Sequence, residues 1–284
     1  MGIGILPLME NFAAMIRGVD LSRLDLASDL GWIDDAYSRY GVIFFSSQKL
    51  EISELVEFSR SIGPLEEVSK YTPYVHPDHD EVAILSNVVE NGKAVGAVDA
   101  GQYWHTDVQF LQRPSRGSLL YAIEVPTAGD GTILGETQFA DQRKAYAGLP
   151  QSLKRAIEGR RAHNSYLHQF TRLAARRDRF GAPPKDIEAV HPVVRIHPDT
   201  GEKCLYVSEG YTTSIVGMPE DESKDLLREL LSHATRPEYI YTHHWQAGDV
   251  LLWDNCSVQH CAVGNYQPPL RRLMYRTTIA PAEA

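Results

Sequence analysis

The sequence predicts a mainly β protein, a sheet core with helices packed on its outside. Three observations predict it. Short β-branched and aromatic runs follow one another instead of alternating with helices, turn-forming clusters separate them, and helical periodicity is confined to the front of the chain and to inserts. In chain order, a helix is expected over Asp29 to Tyr40, closed by Gly41. A second is expected over Ser53 to Ile62, where Leu55, Phe58 and Ile62 share a face and Gly63-Pro64 stops the run. Between them Val42-Ile43-Phe44-Phe45 reads as a buried strand. Further strands are expected at Val82 to Leu85, Tyr103 to Leu111, Ser118 to Val125, Pro192 to Ile196, Cys204 to Val207, Tyr239 to His243, Val250 to Trp253 and Leu273 to Ile279. Ala128-Gly129-Asp130-Gly131, Pro198-Asp199-Thr200-Gly201 and Ala247-Gly248-Asp249 supply the turns of antiparallel connections. Helical inserts fall at Asp141 to Arg161 and at Glu222 to Ser232, the latter with a stripe of Leu226, Leu227, Leu230 and Leu231.

With 43% hydrophobic and 23% charged residues in 284, the composition is that of a soluble globular protein. Lys and Arg number 28 against 37 Asp and Glu, and the formal charge of -9 repels phosphate backbones and anionic lipid. Neither nucleic acid nor a membrane is therefore expected as a partner. Three cysteines (Cys204, Cys256, Cys261) give no disulfide framework, and the first residues carry no basic n-region. No apolar run approaches the roughly 18 residues of a membrane span. The expected location is the cytoplasm. The stretch from His163 to Lys185 carries Arg172, Arg176, Arg177 and Arg179 and ends in Gly181-Ala182-Pro183-Pro184. Such charge runs are usually solvated faces. The functional alternative is a lid insert at about 163–185 that draws in an anion.

On a strand, residues i and i+2 face the same side, so His-x-Asp can present an imidazole and a carboxylate to one ion. The bare pattern is weak: chance alone gives about 0.7 occurrences in a chain of this composition, and this one holds three. His76-Pro77-Asp78 and His197-Pro198-Asp199 contain proline, which favours turns. The third, His105-Thr106-Asp107, sits in a segment of high β-propensity and is the candidate metal site. A facial Fe(II) site needs a second histidine and keeps three positions open for a bidentate cosubstrate and dioxygen. His260 is the best candidate, with His243 and His244 competing on spacing alone. Cys256, His260 and Cys261 together supply at most one irregular half of a zinc site.

Beyond His260, period-two alternation puts Arg272, Met274 and Arg276 on one face of a strand and Arg271, Leu273 and Tyr275 on the other. Two guanidinium groups four residues apart can grip two anions, because each planar fork donates paired hydrogen bonds to carboxylate or sulfonate. Parity alone does not choose between the faces.

His105-Thr106-Asp107, Gly131-Thr132, Trp253-Asp254-Asn255 with His260, and Arg271-Arg272-Leu273-Met274-Tyr275-Arg276 together resemble the taurine and 2,4-dichlorophenoxyacetate dioxygenase family of Fe(II)/2-oxoglutarate enzymes. Gly18-Val19-Asp20-Leu21 and Ile62-Gly63-Pro64-Leu65-Glu66 extend the likeness over almost the whole chain, and in this order the motifs are specific. The resemblance implies one domain over residues 1–284 with a double-stranded β-helix core, a cupin-like jelly roll flanked by helices. It implies Fe(II) on His105, Asp107 and His260, the distal carboxylate of 2-oxoglutarate on Thr132 and Arg272, and the substrate's anionic group on Arg276. That choice also selects the strand face that parity left open. The turn after His260 is one residue longer than in the taurine enzyme, so Arg272 is matched by motif. Where the taurine enzyme has a histidine, this chain reads Val68-Ser69-Lys70-Tyr71-Thr72-Pro73-Tyr74. That weakens a taurine assignment and makes Lys70, Tyr71 and Val108 the remaining substrate-side candidates.

The implied reaction uses dioxygen and hydroxylates a small carboxylate, sulfonate, sulfate ester or aryloxyalkanoate, with succinate and carbon dioxide as coproducts. Related halogenases leave the position of Asp107 to chloride, so its presence points to hydroxylation, desaturation or epoxidation. Assembly as a homodimer or homotetramer is in keeping with the family. Two alternatives stand beside this reading: a tailoring oxygenase on an amino-acid-derived biosynthetic intermediate, and a catalytically silent β-barrel that binds a metal or anion without turnover.

Overall fold

Two segments that read as unbroken apolar runs, Val42-Ile43-Phe44-Phe45 and Val250-Leu251-Leu252-Trp253, lie at the middle of the molecule and are buried at every position. Their alternation is invisible in the sequence because both faces of their sheet are covered. This is seen in a computed structural model, which describes residues 3–24, 26–98, 101–174 and 185–281.

The chain opens with β1 (Gly4–Met9) and β2 (Phe12–Arg17), then α1 (Leu26–Tyr40), β3 (Val42–Phe45) and α2 (Ile52–Ile62). β4 (Val75–His76), β5 (His79–Ser86), β6 (Val89–Glu90) and β7 (Lys93–Ala94) lead through a long loop to β8 (Gly117–Glu124) and β9 (Thr137–Asp141). Next come α3 (Gln142–Ala147), α4 (Gln151–Ile157), β10 (Arg161–Ser165) and α5 (Tyr166–Ala174). They are followed by β11 (Glu188–Pro192), β12 (Val194–Ile196), β13 (Lys203–Leu205) and β14 (Thr212–Ile215). The last elements are α6 (Glu220–Ala234), β15 (Ile240–His243), β16 (Val250–Asp254), β17 (Val258–Ala262) and β18 (Leu273–Ile279).

Eight strands form the main sheet in the order β1-β2-β3-β16-β8-β18-β5-β4, antiparallel throughout except where β2 meets β3. One face packs on helices: Ile43, Phe45, Leu119, Tyr121, Val250 and Leu252 lie against Ile33, Tyr37, Leu55 and Phe58 of α1 and α2. The other face packs on the smaller sheet β15-β9-β17, with Val42, Phe44, Leu251, Trp253 and Met274 against Phe139 and Val258. Alternate residues of one strand thus enter two cores, and the two facing sheets make the cupin-like jelly roll that the motifs implied. A further core joins α4 and α6 to β10, β13 and β14 through Leu153, Leu227, Leu230, Ala162, Leu205 and Ile215.

Several expected elements differ. No strand runs over Tyr103 to Leu111: His105 alone makes a β-bridge, and Val108, at φ 47°, turns the chain out of any ladder. High β-propensity there reflects aromatic packing, since a strand also needs a ladder partner along its length. The run Pro192 to Ile196 divides at Val193 into β11 and β12, which pair with β10 and β13 respectively. The insert Asp141 to Arg161 divides at Gly148-Leu149-Pro150 into α3 and α4. In the arginine-rich 163–185 stretch, β10 ends and α5 begins; residues 175–184, with Arg176, Arg177 and Arg179, lie outside the described residues, as does the side chain of Arg172.

His197, expected as turn punctuation, does more. Its Nδ1 accepts the N–H groups of Asp199 and Thr200 at 3.1 and 3.2 Å, so its Nε2–H donates to the buried Asp254 carboxylate. Burial by itself would raise the Asp254 carboxyl, but the His197 hydrogen bond and the N–H groups of Cys256 and Ser257 hold it below its ordinary value. His197→Ala strands that carboxylate and is expected to cost about 3–5 kcal/mol, read by denaturant unfolding at neutral pH. With Asp254 lowered in the folded state, this stabilisation is present above its ordinary pKa of about 3.8 and is lost as pH falls through the folded value. The native protein's acid-side loss of stability is therefore expected to be shallower in His197→Ala.

Candidate metal centre

The loop after β7 meets β17 through a single antiparallel bridge. His105 N–H donates to the His260 carbonyl at 3.1 Å, and His260 N–H to the His105 carbonyl at 2.8 Å. The two imidazoles therefore stand opposite one another, with ring centroids 4.1 Å apart. His105 Nδ1–H donates to the Tyr103 carbonyl at 2.8 Å, which leaves Nε2 with its lone pair outward. His260 is held by its neighbours: Phe139 stacks on its ring and Trp253 lies at 4.7 Å.

Two residues on from His105, Asp107 places Oδ1 3.6 Å from His105 Nε2 and 4.0 Å from His260 Nε2. The donor atoms of the three buried side chains lie within 4.8 Å of one another. His-x-Asp thus faces one side without a strand, because the bridge fixes His105 and the left-handed Val108 turns the chain just after Asp107. A β-branched residue at positive φ is strained, and the packing around Val108 holds it there.

Burial by itself would raise the Asp107 carboxyl, but Arg276, then His260 and His105, hold it well below the usual carboxylate range. Burial and the neighbouring His105 push His260 well below its usual value, so its imidazole is neutral and free to ligate. Two imidazoles and one carboxylate on a single side suit Fe(II) with positions left open. Neither competing histidine joins them. His243 bonds Asp249 at 3.1 Å and Tyr241 at 3.1 Å, and His244 is exposed beside Glu136. Nor does a cysteine join, since the Cys256 thiol lies against Cys204.

Just before β18 and along it, the structure separates the arginines. Arg271 is exposed and pairs with Glu124, whereas Arg272 is buried, its Nε without a partner and its side chain against Tyr266. Arg276 donates Nη1–H to Asp107 Oδ1 at 2.9 Å, and its Nε has no partner. Thr132 is exposed in a turn and bonds Asp130 through its N–H and hydroxyl. Lys70 is exposed and pairs with Glu67. Tyr71 and Val108 instead enter an apolar cluster with Phe110, Tyr166 and Tyr211.

That cluster was not foreseen as a unit. Phe110 lies 4.8 Å from Tyr166, 5.2 Å from Tyr211 and 6.0 Å from Tyr71, while Tyr103 lies 4.7 Å from His105. Burial raises the phenols of Tyr103 and Tyr211, so both are protonated donors. Their contributors are scattered from residue 71 to 211, and no local spacing announces them. Thr137 was also missed. It is buried on β9, two residues before the Phe139 that stacks on His260, and its hydroxyl accepts from Trp245 Nε1–H at 2.9 Å. The alternation Thr137, Phe139 was the available signal.

Residues 4–278 match the family described as Taurine catabolism dioxygenase TauD, TfdA family. The chain is similar to the alpha-ketoglutarate-dependent 2,4-dichlorophenoxyacetate dioxygenase of Cupriavidus pinatubonensis, at 33% identity over 287 residues and 96% of each chain. It is also similar to pentalenolactone F synthase of Streptomyces arenae, at 34% identity over 233 residues, 78% of this chain and 76% of that one. Among solved structures, AAD-2 in complex with Mn(II) and N-oxalylglycine superposes with a TM-score of 0.80 at 28% identity, covering 100% of this chain and 99% of that one.

Close packing behind His105 gives a test of the geometry. A Cβ on Gly210 would lie 2.5 Å from the Tyr103 ring and 3.0 Å from His105 Cβ. Gly210→Ala is therefore expected to cost about 1–3 kcal/mol in thermal unfolding and to weaken Mn(II) binding in calorimetric titration. Native values of both would contradict the packing argument.

Proposed function

Since the chain belongs to the taurine catabolism dioxygenase TauD, TfdA family, we propose that its centre hydroxylates a small anionic organic substrate held beside the metal by Arg276. The enzyme is an Fe(II)- and 2-oxoglutarate-dependent dioxygenase, and the observation that carries the reading is the buried His105, Asp107, His260 donor set. When bound, Fe(II) and 2-oxoglutarate supply the activation of dioxygen that drives C–H hydroxylation, with succinate and carbon dioxide as coproducts.

His105, Asp107 and His260 would hold the metal, each from a different local device: a bridge, a left-handed turn and a strand. For 2-oxoglutarate, the buried and unpartnered Arg272 Nε is a donor in want of an anion. Its expected companion Thr132 is exposed and engaged with Asp130, which favours Thr137 as the hydroxyl on the metal side of β9. Arg276 has an unpartnered Nε and touches a metal ligand, so an anion bound there lies next to the reacting position. Tyr71, Val108, Phe110, Tyr166 and Tyr211 give the substrate's apolar body a wall, and the protonated phenols of Tyr103 and Tyr211 add donors. Through Tyr166, the described part of the 163–185 stretch belongs to this wall. Lys70, paired with Glu67 at the surface, is left out of it.

Carboxylates, sulfonates, sulfate esters and aryloxyalkanoates all fit an arginine beside an aromatic wall. Similarity to a synthase favours a second reading, the same centre acting on a biosynthetic intermediate. The protein is taken to work in the cytoplasm as one catalytic domain. No helix among the described residues is long and apolar enough to cross a membrane. Assembly as a homodimer or homotetramer is supported by the exposed Ile3, Ile5, Leu6 and Leu8 at edge strand β1.

The test is succinate formation from 2-oxoglutarate with added Fe(II) across a panel of aryloxyalkanoates, sulfonates, sulfate esters and pathway-type carboxylates. One class is expected to stimulate turnover strongly, and absence of succinate under every condition would contradict the reading. Arg276→Ala is expected to weaken substrate binding about tenfold or more while 2-oxoglutarate affinity holds. Arg272→Ala is expected to do the reverse, and equal loss of both ligands in either variant would refute the division of roles.

A further inference from the structure

Asp107 reaches the centre from a loop that has no ladder to steady it, yet both of its oxygens are held from the main sheet, Oδ1, which faces the two imidazoles, by Arg276 on β18 and Oδ2 by a hydroxyl. Ser118, on β8, donates its hydroxyl to Asp107 Oδ2 at 2.6 Å. Asn255, in the turn between β16 and β17, donates Nδ2–H to Ser118 Oγ at 3.0 Å and to Ser115 Oγ at 2.8 Å. Ser115 in turn reaches the Asp107 carbonyl at 3.5 Å. All three side chains are fully buried, and the backbone joins them again where Asn255 N–H donates to the Arg116 carbonyl. The direction of these bonds follows from proton count. A carboxylate accepts only, so the single Ser118 proton goes to Oδ2, and the amide must supply the proton of the Asn255 contact.

We infer that Ser118, oriented by Asn255, is a positioning residue that fixes Asp107 as a one-oxygen metal ligand. The inference rests on the reading of His105, Asp107 and His260 as ligands and adds which oxygen serves. With Oδ2 engaged by Ser118, Oδ1 is the oxygen that faces both Nε2 atoms, at 3.6 and 4.0 Å. A carboxylate free to rotate offers both oxygens to the ion and takes a position that the cosubstrate or dioxygen needs. Ser118 prevents this from the most rigid place available, a central strand of the main sheet paired on one side to Trp253 and on the other to Thr278. Neither serine carried a signal in the sequence, since a hydroxyl in a buried strand is ordinary. Asn255 lies inside the Trp253-Asp254-Asn255 motif without any evident task until its partners are seen.

The test uses the full chain with Mn(II) as probe. Ser118→Ala is expected to weaken Mn(II) binding by about 10- to 100-fold, the scale of lost outer partners of metal ligands. The visible spectrum of the Co(II)-loaded protein, which reports coordination and not folding, is expected to shift. Ser118→Cys keeps the shape with a weaker donor and serves if the alanine variant does not fold. Its expected affinity lies between those of Ser118→Ala and the native protein. Variants that match the native protein in Mn(II) affinity and Co(II) spectrum overturn the inference. Native protein that binds no Mn(II) overturns the metal-centre reading and this inference with it, a result distinct from equal binding by native and variant.

Discussion

His105 and His260 exchange N–H···O=C bonds at 3.1 and 2.8 Å although no strand runs through His105, and this one bridge fixes the distance between the two imidazoles. The rest of the centre is arranged around it. β17 carries His260 because β9 pairs with it, placing Phe139 against the ring. The facing main sheet supplies Trp253 from the other side. Two sheets packed face to face are thus what allows a loop histidine and a strand histidine to meet with fixed rings.

The same packing sets the electrostatic problem. A buried carboxylate is costly unless it is paired and hydrogen-bonded. Asp107 meets that condition three times over, with Arg276 on Oδ1, Ser118 on Oδ2 and two imidazoles alongside. The outcome is a carboxylate that remains charged in an apolar interior, next to a His260 imidazole that remains neutral. Both are the protonation states a divalent metal requires. Arg272 presents the opposite case. It is buried without an acid, its Nε unsatisfied, and a dicarboxylic cosubstrate is the kind of partner that removes the penalty.

Much of this was legible because chemistry writes itself in short spacings. His105-Thr106-Asp107, His260 and the Arg272, Arg276 pair stand out by residue type. Strands covered on both faces, such as Val250 to Asp254, stand out as apolar runs. β9 and β17 were missed because their inward positions carry the polar Thr137 and His260, so neither strand reads as a clean apolar alternation. Tyr103 to Leu111 erred the other way, its aromatics serving a cluster and not a ladder. The choice between Arg271 and Arg272 was open to parity and made by the resemblance, and Glu124 holds Arg271 at the surface in keeping with it. Thr132, taken from a motif, sits on an exposed turn, whereas Thr137 is buried on β9. Contacts between residues more than a hundred positions apart, such as Asn255 with Ser118, leave no local trace.

Central to the account is that one pocket binds Fe(II) through three side chains and 2-oxoglutarate through the metal and a buried arginine. Anaerobic titration tests this most directly, adding Fe(II) and then 2-oxoglutarate while the visible spectrum is recorded. The account predicts a charge-transfer absorption that saturates at one equivalent of each. A folded protein that gives no such absorption at any ratio would contradict it.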